Sequence, residues 1–171
     1  MTTTLVLGGA RSGKSTYAQH AAESAAEKNG GKLVLVATAE VLDAEMNARI
    51  THHQAKRGAA WRTIEAPVEL PQAISKLEPA DLVVVDCLTL WVNNLLMREM
   101  DIEASIKALT AALGQRRGSS WLVSNEVGLG IVPANALARR FRDECGRLHQ
   151  KLAVLVDSAV IMIAGLPLKL K

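Results

Sequence analysis

Residues Leu5–Gln19 read LVLGGARSGKSTYAQ, and this stretch decides the fold class. Within it, Gly8–Ser15 match the spacing G-x-x-x-x-G-K-[S/T], between an apolar run and a segment of helical period. Glycines let a backbone wrap around an anion, and the N–H groups of the loop and the following helix point at phosphate oxygens. A chance glycine-rich turn is the alternative, but a random match is about a one-in-a-hundred event or rarer. The stretch predicts a phosphate-binding loop (P-loop).

The loop supplies the first candidate site residues. We expect the Lys14 ammonium to reach the β- and γ-phosphates of a nucleoside triphosphate, and the Ser15 hydroxyl to bind Mg²⁺. The residues of the loop predicted to bind nucleotide are Gly8, Gly9, Ala10, Arg11, Ser12, Gly13, Lys14 and Ser15.

A second metal-handling carboxylate is expected at the end of a neighbouring strand. The run LVVVD supplies it as Asp86, after four apolar residues. Capping of the next helix is the alternative, and the pattern alone favours neither. Given the P-loop, we favour contact with the metal or the nucleotide. Ser15 and Asp86 are therefore the predicted metal ligands.

Short apolar runs alternate with helix-period segments along the chain. The runs read as buried strands at Thr4–Leu7, Leu33–Ala37, Leu82–Val85, Ser120–Val123 and Val160–Ala164. The helix-period segments are Lys14–Lys28, Ala44–Arg57, Val68–Leu77, Leu88–Met97, Ile102–Arg116 and Ala134–Val156. Continuous rather than alternating hydrophobicity is typical of a parallel sheet covered on both faces. The pattern predicts one α/β domain spanning residues 1–171, with a mostly parallel central sheet and helices on both faces.

Composition excludes several classes of protein. The 20 Lys and Arg residues against 17 Asp and Glu leave a net charge of +3, and the chain has three Trp, one Tyr and one Phe. So few aromatic side chains disfavour nucleic-acid binding. Cys87 and Cys145 form no metal-binding or redox spacing, which favours buried thiols in a reducing compartment. No signal peptide or transmembrane segment is expected, so we predict a cytoplasmic protein.

A charged stripe lies in the second helix-period segment. Glu45, Arg49, His53 and Arg57 recur every four residues, and His52 is adjacent to His53. Such stripes are common on solvated helix faces. Here, however, arginines one turn either side of His53 disfavour its protonation and can bind phosphate. A neutral imidazole is a competent nucleophile towards phosphorus, so the spacing leaves catalysis and a solvated face equally open.

Several longer stretches, taken in order, resemble one known family. GGARSGKS, ATAEVLDAEMNARITHHQAKRGAAWRTIE, VDCLTLWVNN, SNEVGLGIVP and ARRFRDECGRLHQKLA follow one another as in the bifunctional adenosylcobinamide kinase/adenosylcobinamide-phosphate guanylyltransferases. The resemblance covers nearly the whole chain and implies two reactions. Adenosylcobinamide is phosphorylated by ATP or GTP, and GMP is then transferred from GTP to the new phosphate through a guanylyl-histidine, releasing pyrophosphate.

The resemblance also implies a set of site residues, a fold and an assembly. The family pattern R-I-x-x-H-x-x-x-R runs from Arg49 to Arg57 and selects His53 as the nucleophile. Lys14 of the P-loop is the second implied catalytic residue. Besides the P-loop, the implied nucleotide contacts are Ala37, Thr38, Ala39, Gln54, Ala55, Lys56, Arg57, Glu65 and Asp86. The implied fold is a P-loop, RecA-like parallel sheet, and the implied assembly is a homotrimer.

Two later segments receive less definite interpretations. SNEVGLGIVP predicts a strand end followed by a mobile loop at the carboxyl edge of the sheet, which favours substrate contact over a plain turn. Arg139, Arg140 and Arg142 face either a corrinoid phosphate or solvent. His149 stands where the family commonly has Asn, and we interpret it as a helix-surface residue rather than a catalytic one.

Two other functions stay open on the sequence. One is a P-loop small-molecule kinase without the nucleotidyl-transfer step, which would need no nucleophilic imidazole. The other is a non-catalytic nucleotide switch. Polar residues concentrated at predicted strand ends disfavour the switch.

Overall fold

The computed structural model describes residues 1–40 and 60–171. The predicted helix Ala44–Arg57 lies outside these residues, together with His52, His53 and Gln54. Seven strands occur in the described part of the chain: β1 (Thr3–Gly8), β2 (Lys32–Ala37), β3 (Trp61–Glu65), β4 (Asp81–Asp86), β5 (Ser120–Val123), β6 (Ser158–Ile163) and β7 (Leu166–Lys169). The helices described are α1 (Lys14–Asn29), α2 (Leu70–Ser75), α3 (Leu88–Met97), α4 (Ile102–Gln115) and α5 (Ala136–Leu155).

The strands form one sheet in the order β3-β2-β4-β5-β1-β6-β7. All neighbouring pairs are parallel except β6 and β7, which are antiparallel. This confirms the α/β class and the mostly parallel sheet expected from the continuous apolar runs.

Helices cover both faces of the sheet. Ala18 and Ala22 of α1 pack with Val6 and Val84 on one face. The second face carries the larger apolar cluster, in which α2, α3, α4 and α5 pack against the other side of the same strands. The core strands therefore bury alternate side chains into two separate clusters, and this explains why their sequences show no polar alternation.

The sequence missed the two edge strands. β3 exposes Arg62, Thr63 and Glu65, so it has too few buried side chains to give an apolar run. β7 contains Pro167, which is tolerated because the strand lies at the sheet edge. The predicted helix Val68–Leu77 was too long: regular helix runs only over Leu70–Ser75, with proline near its start.

The carboxyl ends of five parallel strands lie in one row across the sheet. In this row Glu65 pairs with Ala37, Ala37 with Asp86, Asp86 with Val123, and Val123 with Val6. The loops that follow these strands therefore meet at one edge, where ligands bind in open α/β sheets. No helix in the described ranges is both long and apolar enough to cross a bilayer.

Candidate active site

The loop between β1 and α1 has the backbone conformation that its glycines predict. Gly8 and Gly13 have φ angles of 147° and 97°. A Cβ atom at Gly8 would lie 2.6 Å from the Met162 carbonyl oxygen, so the close approach of β6 also requires glycine there. The strand–loop–helix arrangement expected of a P-loop is therefore present.

The amino end of α1 suits an anion. Gly13 is the N-cap residue and no side chain caps the helix, whose first turn contains no acidic residue. Uncapped N–H groups and the partial positive charge of a 16-residue helix therefore face the loop.

Lys14 is the buried cation of this site. Its Nζ donates to the Gly9 carbonyl oxygen and lies 3.4 Å from Ser12 Oγ, so the side chain folds back over the loop. Burial lowers the pKa of Lys14, while Cys87 and Asp86 act in the opposite direction. An anion bound in the loop would restore the stability of the charged ammonium.

Asp86 ends β4, the second strand from β1, with β5 between them. The alternative of a helix cap does not match the geometry, because Cys87 is the N-cap residue of α3 and Leu88 is its first helical residue. The Asp86 carboxylate instead acts electrostatically on Lys14. The predicted pair of a P-loop lysine and an aspartate at a strand end is thus brought together at one sheet edge.

Thr38, a predicted nucleotide contact, is fully buried behind this edge. Its hydroxyl donates to the Cys87 carbonyl at 2.6 Å and accepts from the Cys87 N–H at 2.9 Å. Its own N–H donates to the Asp86 carbonyl, and its carbonyl accepts from Asn94 Nδ2 at 2.8 Å. All the polar groups of Thr38 are therefore bonded within the protein. The hydroxyl supports the wall of the site, and a nucleotide contact of Thr38 stays a prediction.

Two residues of the stretch VDCLTLWVNN hold neighbouring loops. Asn94 Nδ2 also donates to the Pro67 carbonyl at 3.0 Å, and Trp91 Nε1 donates to the Val68 carbonyl at 2.8 Å. These bonds join α3 to the segments that follow β2 and β3. The sequence did not reveal this role, because it depends on which loops the fold brings beside α3.

The other predicted nucleotide contacts are distributed along the same edge. Ala37 ends β2, and its carbonyl accepts from the Ala66 N–H at 2.8 Å. Ala39 is partly exposed, and Glu65 is exposed at the end of β3 in the row that contains Asp86. Gln54–Arg57 lie outside the described residues.

The interpretation of His149 as a surface residue was wrong. The side chain is buried, and its Nε2 lies 2.7 Å from the hydroxyl oxygen of Ser124, which is itself fully buried. Burial lowers the pKa of His149, and Glu126 opposes the shift. The sequence did contain the signal: His149 continues the buried stripe of Cys145, Leu148 and Leu152 at helical spacing.

The loop after β5 lies beside the P-loop. The Glu126 N–H donates to the Gly8 carbonyl at 3.0 Å. Beyond it along the chain, Leu129 and Ile131 are 85% and 97% exposed. Arg139 donates to the Pro133 carbonyl at 2.8 Å and so fastens the end of this segment.

The two cysteines are buried thiols, as expected. Burial raises the pKa of Cys87 to about 11, with Asp86 adding to the shift. Cys87 therefore stays protonated at neutral pH despite its place next to the site.

Comparison with known proteins agrees with this geometry. The sequence profile of the cobinamide kinase / cobinamide phosphate guanyltransferase family matches residues 4–170. The bifunctional adenosylcobalamin biosynthesis protein CobP of Pseudomonas aeruginosa is 44% identical over 98% of this chain and 96% of its own length. The corresponding CobU protein of Salmonella typhimurium is 39% identical over 98% of both chains.

A solved structure supports the fold independently. The crystal structure of a KaiC-like protein from Pyrococcus horikoshii superposes with a TM-score of 0.52 over 94% of this chain and 70% of that chain, at 14% sequence identity. At that identity the likeness concerns the fold alone, a RecA-like P-loop sheet. On the extent of the sequence matches, the chain belongs to the cobinamide kinase / cobinamide phosphate guanyltransferase family.

Proposed function

We propose that this protein phosphorylates adenosylcobinamide with ATP or GTP and then transfers GMP from GTP to the product, giving adenosylcobinamide-GDP and pyrophosphate. The observation that carries the proposal is the placement of the P-loop lysine, Lys14, and the strand-end carboxylate, Asp86, at the same carboxyl edge of the sheet, in a chain matched almost end to end by this family. Both reactions attack a phosphorus atom of a bound triphosphate, so one P-loop serves both. We place the enzyme in the cytoplasm.

The kinase step needs positioning and charge neutralisation more than covalent chemistry. The terminal hydroxyl oxygen of adenosylcobinamide attacks the γ-phosphorus, the bond to the bridging oxygen breaks, and the nucleoside diphosphate leaves while the hydroxyl proton is lost. Lys14 and the N–H groups at the start of α1 stabilise the phosphate charge. Burial lowers the pKa of Lys14, so an adjacent phosphate would stabilise its charged ammonium form.

The nucleotidyl-transfer step needs a nucleophile, and we propose that it comes from the stretch RITHHQAKR. A neutral nitrogen of His53 attacks the α-phosphorus of GTP, pyrophosphate leaves, and a phosphorus–nitrogen bond forms. A phosphate oxygen of adenosylcobinamide phosphate then attacks the same phosphorus, and the imidazole is released. Arg49 and Arg57, one helical turn either side in the predicted helix, disfavour protonation of the imidazole and neutralise the phosphate oxygens.

The residues present fit a Mg²⁺ ion. Ser15 at the start of α1 and Asp86 at the end of β4 offer a hydroxyl and a carboxylate. Mg²⁺ prefers such hard oxygen ligands, and one or two from the protein suffice because phosphates and water complete its shell. When bound, the ion would neutralise charge on the triphosphate.

We also propose a homotrimer. Ile163, Leu166 and Leu168 on the β6–β7 hairpin, and Leu170 directly after it, are 58%, 72%, 56% and 57% exposed. They share one face of the hairpin, because Ile163 pairs with Leu166 and alternate residues of a strand point the same way. An apolar face beside an edge strand is typical of an interface. Sedimentation should give a trimer that Leu168→Glu dissociates; a monomeric parent protein at micromolar concentration would contradict this.

One assay separates the proposed function from its two alternatives. The protein is incubated with GTP, Mg²⁺ and adenosylcobinamide, and GDP and pyrophosphate are quantified separately. We expect both products, together with adenosylcobinamide-GDP. GDP without pyrophosphate would show a plain kinase, and tight nucleotide binding without either product would show a switch.

A further inference from the structure

A buried chain of polar side chains joins three elements beside the P-loop. His149 of α5 lies 2.7 Å from Ser124 Oγ through Nε2. Ser124 Oγ lies 3.5 Å from Thr89 Oγ1 of α3, and Thr89 Oγ1 accepts the N–H of Asn125 at 2.8 Å. The other imidazole nitrogen, Nδ1, lies 3.9 Å from Glu126 Oε2. We call Thr89, Ser124, Glu126 and His149 the β5-loop linkage.

The linkage lies between the two parts of the phosphate site, namely Asp86 at the end of β4 and the P-loop after β1. The strand order puts β5 between β4, which ends in Asp86, and β1, which leads into the P-loop. The Ser124 N–H donates to the Val6 carbonyl at 3.0 Å, and the Glu126 N–H donates to the Gly8 carbonyl at 3.0 Å. A displacement of the β5 loop would therefore be transmitted to the first residue of the P-loop.

The surroundings of His149 favour one tautomer of its neutral ring. The Glu126 carboxylate lies 3.9 Å from Nδ1, beyond hydrogen-bond distance, and its negative charge favours the tautomer with hydrogen on Nδ1. In that tautomer Nε2 accepts the Ser124 hydroxyl hydrogen. A serine, histidine and glutamate in series also resemble a hydrolytic triad. Ser124 is fully buried, however, so no substrate reaches its hydroxyl.

We propose that His149 is a positioning residue for phosphoryl transfer: through Ser124 and Glu126 it holds the β5 loop against the P-loop. This inference rests on the proposed kinase function. The imidazole does not touch substrate; it fixes the loop that carries the partly exposed Asn125 and Glu126 between Asp86 and Gly8. A misplacement of about 1 Å in a catalytic arrangement can reduce turnover by about a hundredfold.

The test replaces His149 with side chains that keep or lose its hydrogen bond. His149→Leu fills the space without a polar atom, whereas His149→Gln places an amide near the former Nε2 and can still bond to Ser124. His20→Gln, on the exposed face of α1, is the matched control. The measurements are kcat and KM of the kinase step, the Kd of a non-hydrolysable GTP analogue, and the Tm.

We expect His149→Leu to lower kcat by about tenfold or more with the Kd of the GTP analogue within about twofold of the parent. His149→Gln should recover most of kcat, and His20→Gln should match the parent. If His149→Leu folds and keeps the parent kcat, the proposal is wrong. It is equally wrong if kcat falls in both His149 variants only in proportion to a loss of folded protein.

Two measurements keep the proposal testable if His149→Leu fails to fold. Ser124→Ala breaks the same linkage from the other side and should lower kcat in the same way. Nitrogen NMR of the histidines should show a neutral His149 ring with hydrogen on Nδ1, lost on His149→Gln; a ring with hydrogen on Nε2 would overturn the assigned linkage. The NMR result does not depend on turnover. A parent protein without kinase activity but with this tautomer would therefore refute the proposed function and leave the linkage intact.

Discussion

Thr38 and Cys87 are joined by two hydrogen bonds of opposite direction, at 2.6 Å and 2.9 Å, through one threonine hydroxyl. The hydroxyl accepts the buried N–H of Cys87 and donates to its carbonyl, so it fixes the turn that directly follows Asp86. A valine has the same shape but offers neither group. The position of the Asp86 carboxylate therefore depends on a residue that follows a different strand, β2.

Thr38→Val should leave the Cys87 N–H buried without its partner. An unsatisfied buried group of this kind costs about 1–3 kcal/mol of the free energy of unfolding, and we expect kcat to fall as well because Asp86 loses its support. Urea denaturation and steady-state kinetics measure the two effects. Thr110→Val on α4 is the control, since its hydroxyl donates within its own helix, to the Lys107 carbonyl. Equal stability of the two variants would show that the pair is unimportant.

Lys14→Ala should cripple both half-reactions, because the same ammonium meets the triphosphate in each. The buried position and lowered pKa of Lys14 indicate that the folded protein gains little stability from this charge. The Tm should therefore change little while turnover falls by about a hundredfold or more. Lys28→Ala, exposed at the end of the same helix, should behave as the parent. GTP-dependent turnover near the parent rate in Lys14→Ala would rule out this role.

Asp86→Asn keeps the shape of the side chain and removes its charge. We expect a loss of activity of about tenfold or more that raised Mg²⁺ partly restores, because a weaker ligand set needs more metal. The Tm should stay close to that of the parent. Asp143→Asn, a half-exposed carboxylate on α5, controls for the loss of one negative charge. A collapse in stability at saturating Mg²⁺ would instead indicate a structural role for Asp86.

The folded protein should lose stability in acid through His149. Burial lowers the pKa of His149 in the folded state, and Glu126 only partly opposes this, so the unfolded chain binds a proton more readily. Cys145, one turn earlier on α5, has its pKa raised to about 12 and stays neutral. The stabilisation is therefore complete above the unfolded pKa of about 6.5 and is lost as the pH falls below it.

The measurement compares the free energy of unfolding of the parent and of His149→Gln between pH 7.5 and pH 5. The parent should lose more stability than the variant over this range, and His20→Gln should follow the parent. Parallel curves for the parent and His149→Gln would mean that His149 titrates alike in both states.

The sequence predicted those parts of the site that lie within one short segment of the chain. Gly8–Ser15 and Asp86 each follow an uninterrupted apolar run, so one segment is enough to recognise each of them. The internal bonds of Thr38 and Asn94 were not foreseeable, because their partners lie 49 and 56 residues away in the chain. The buried position of His149 could have been read from the spacing of Cys145, Leu148 and Leu152, but its bond to Ser124 depends on where the fold brings α5 to the residue that follows β5.

The edge strands β3 and β7 could not be predicted from the sequence for a different reason. β3 and β7 expose most of their side chains, so neither shows the hydrophobic pattern that identifies a buried strand. Their pairing comes from backbone bonds to β2 and β6, which the sequence does not display. Glu65 was nevertheless named as a nucleotide contact through the family resemblance, and it lies in the row of strand ends that contains Asp86.

The sharpest prediction concerns His53, which lies outside the described residues. A phosphorus–nitrogen bond forms if a neutral imidazole nitrogen attacks the α-phosphorus of GTP in line with the departing pyrophosphate. Protein incubated with GTP and Mg²⁺ should therefore gain the mass of one GMP, in a linkage that is labile to acid and stable to base. Intact-protein mass spectrometry detects the adduct directly.

His53→Ala should abolish this adduct, whereas the neighbouring His52→Ala, the matched control, should leave it largely intact. Kinase activity should survive His53→Ala, because phosphorylation of a hydroxyl needs no enzyme nucleophile and the Lys14 site is unchanged. An adduct that persists in His53→Ala and disappears in His52→Ala would move the nucleophile to His52. An adduct unaffected by either change would place the covalent step elsewhere in the chain. The proposed role of Arg49 and Arg57, to keep the His53 imidazole neutral during the attack, would then be wrong as well.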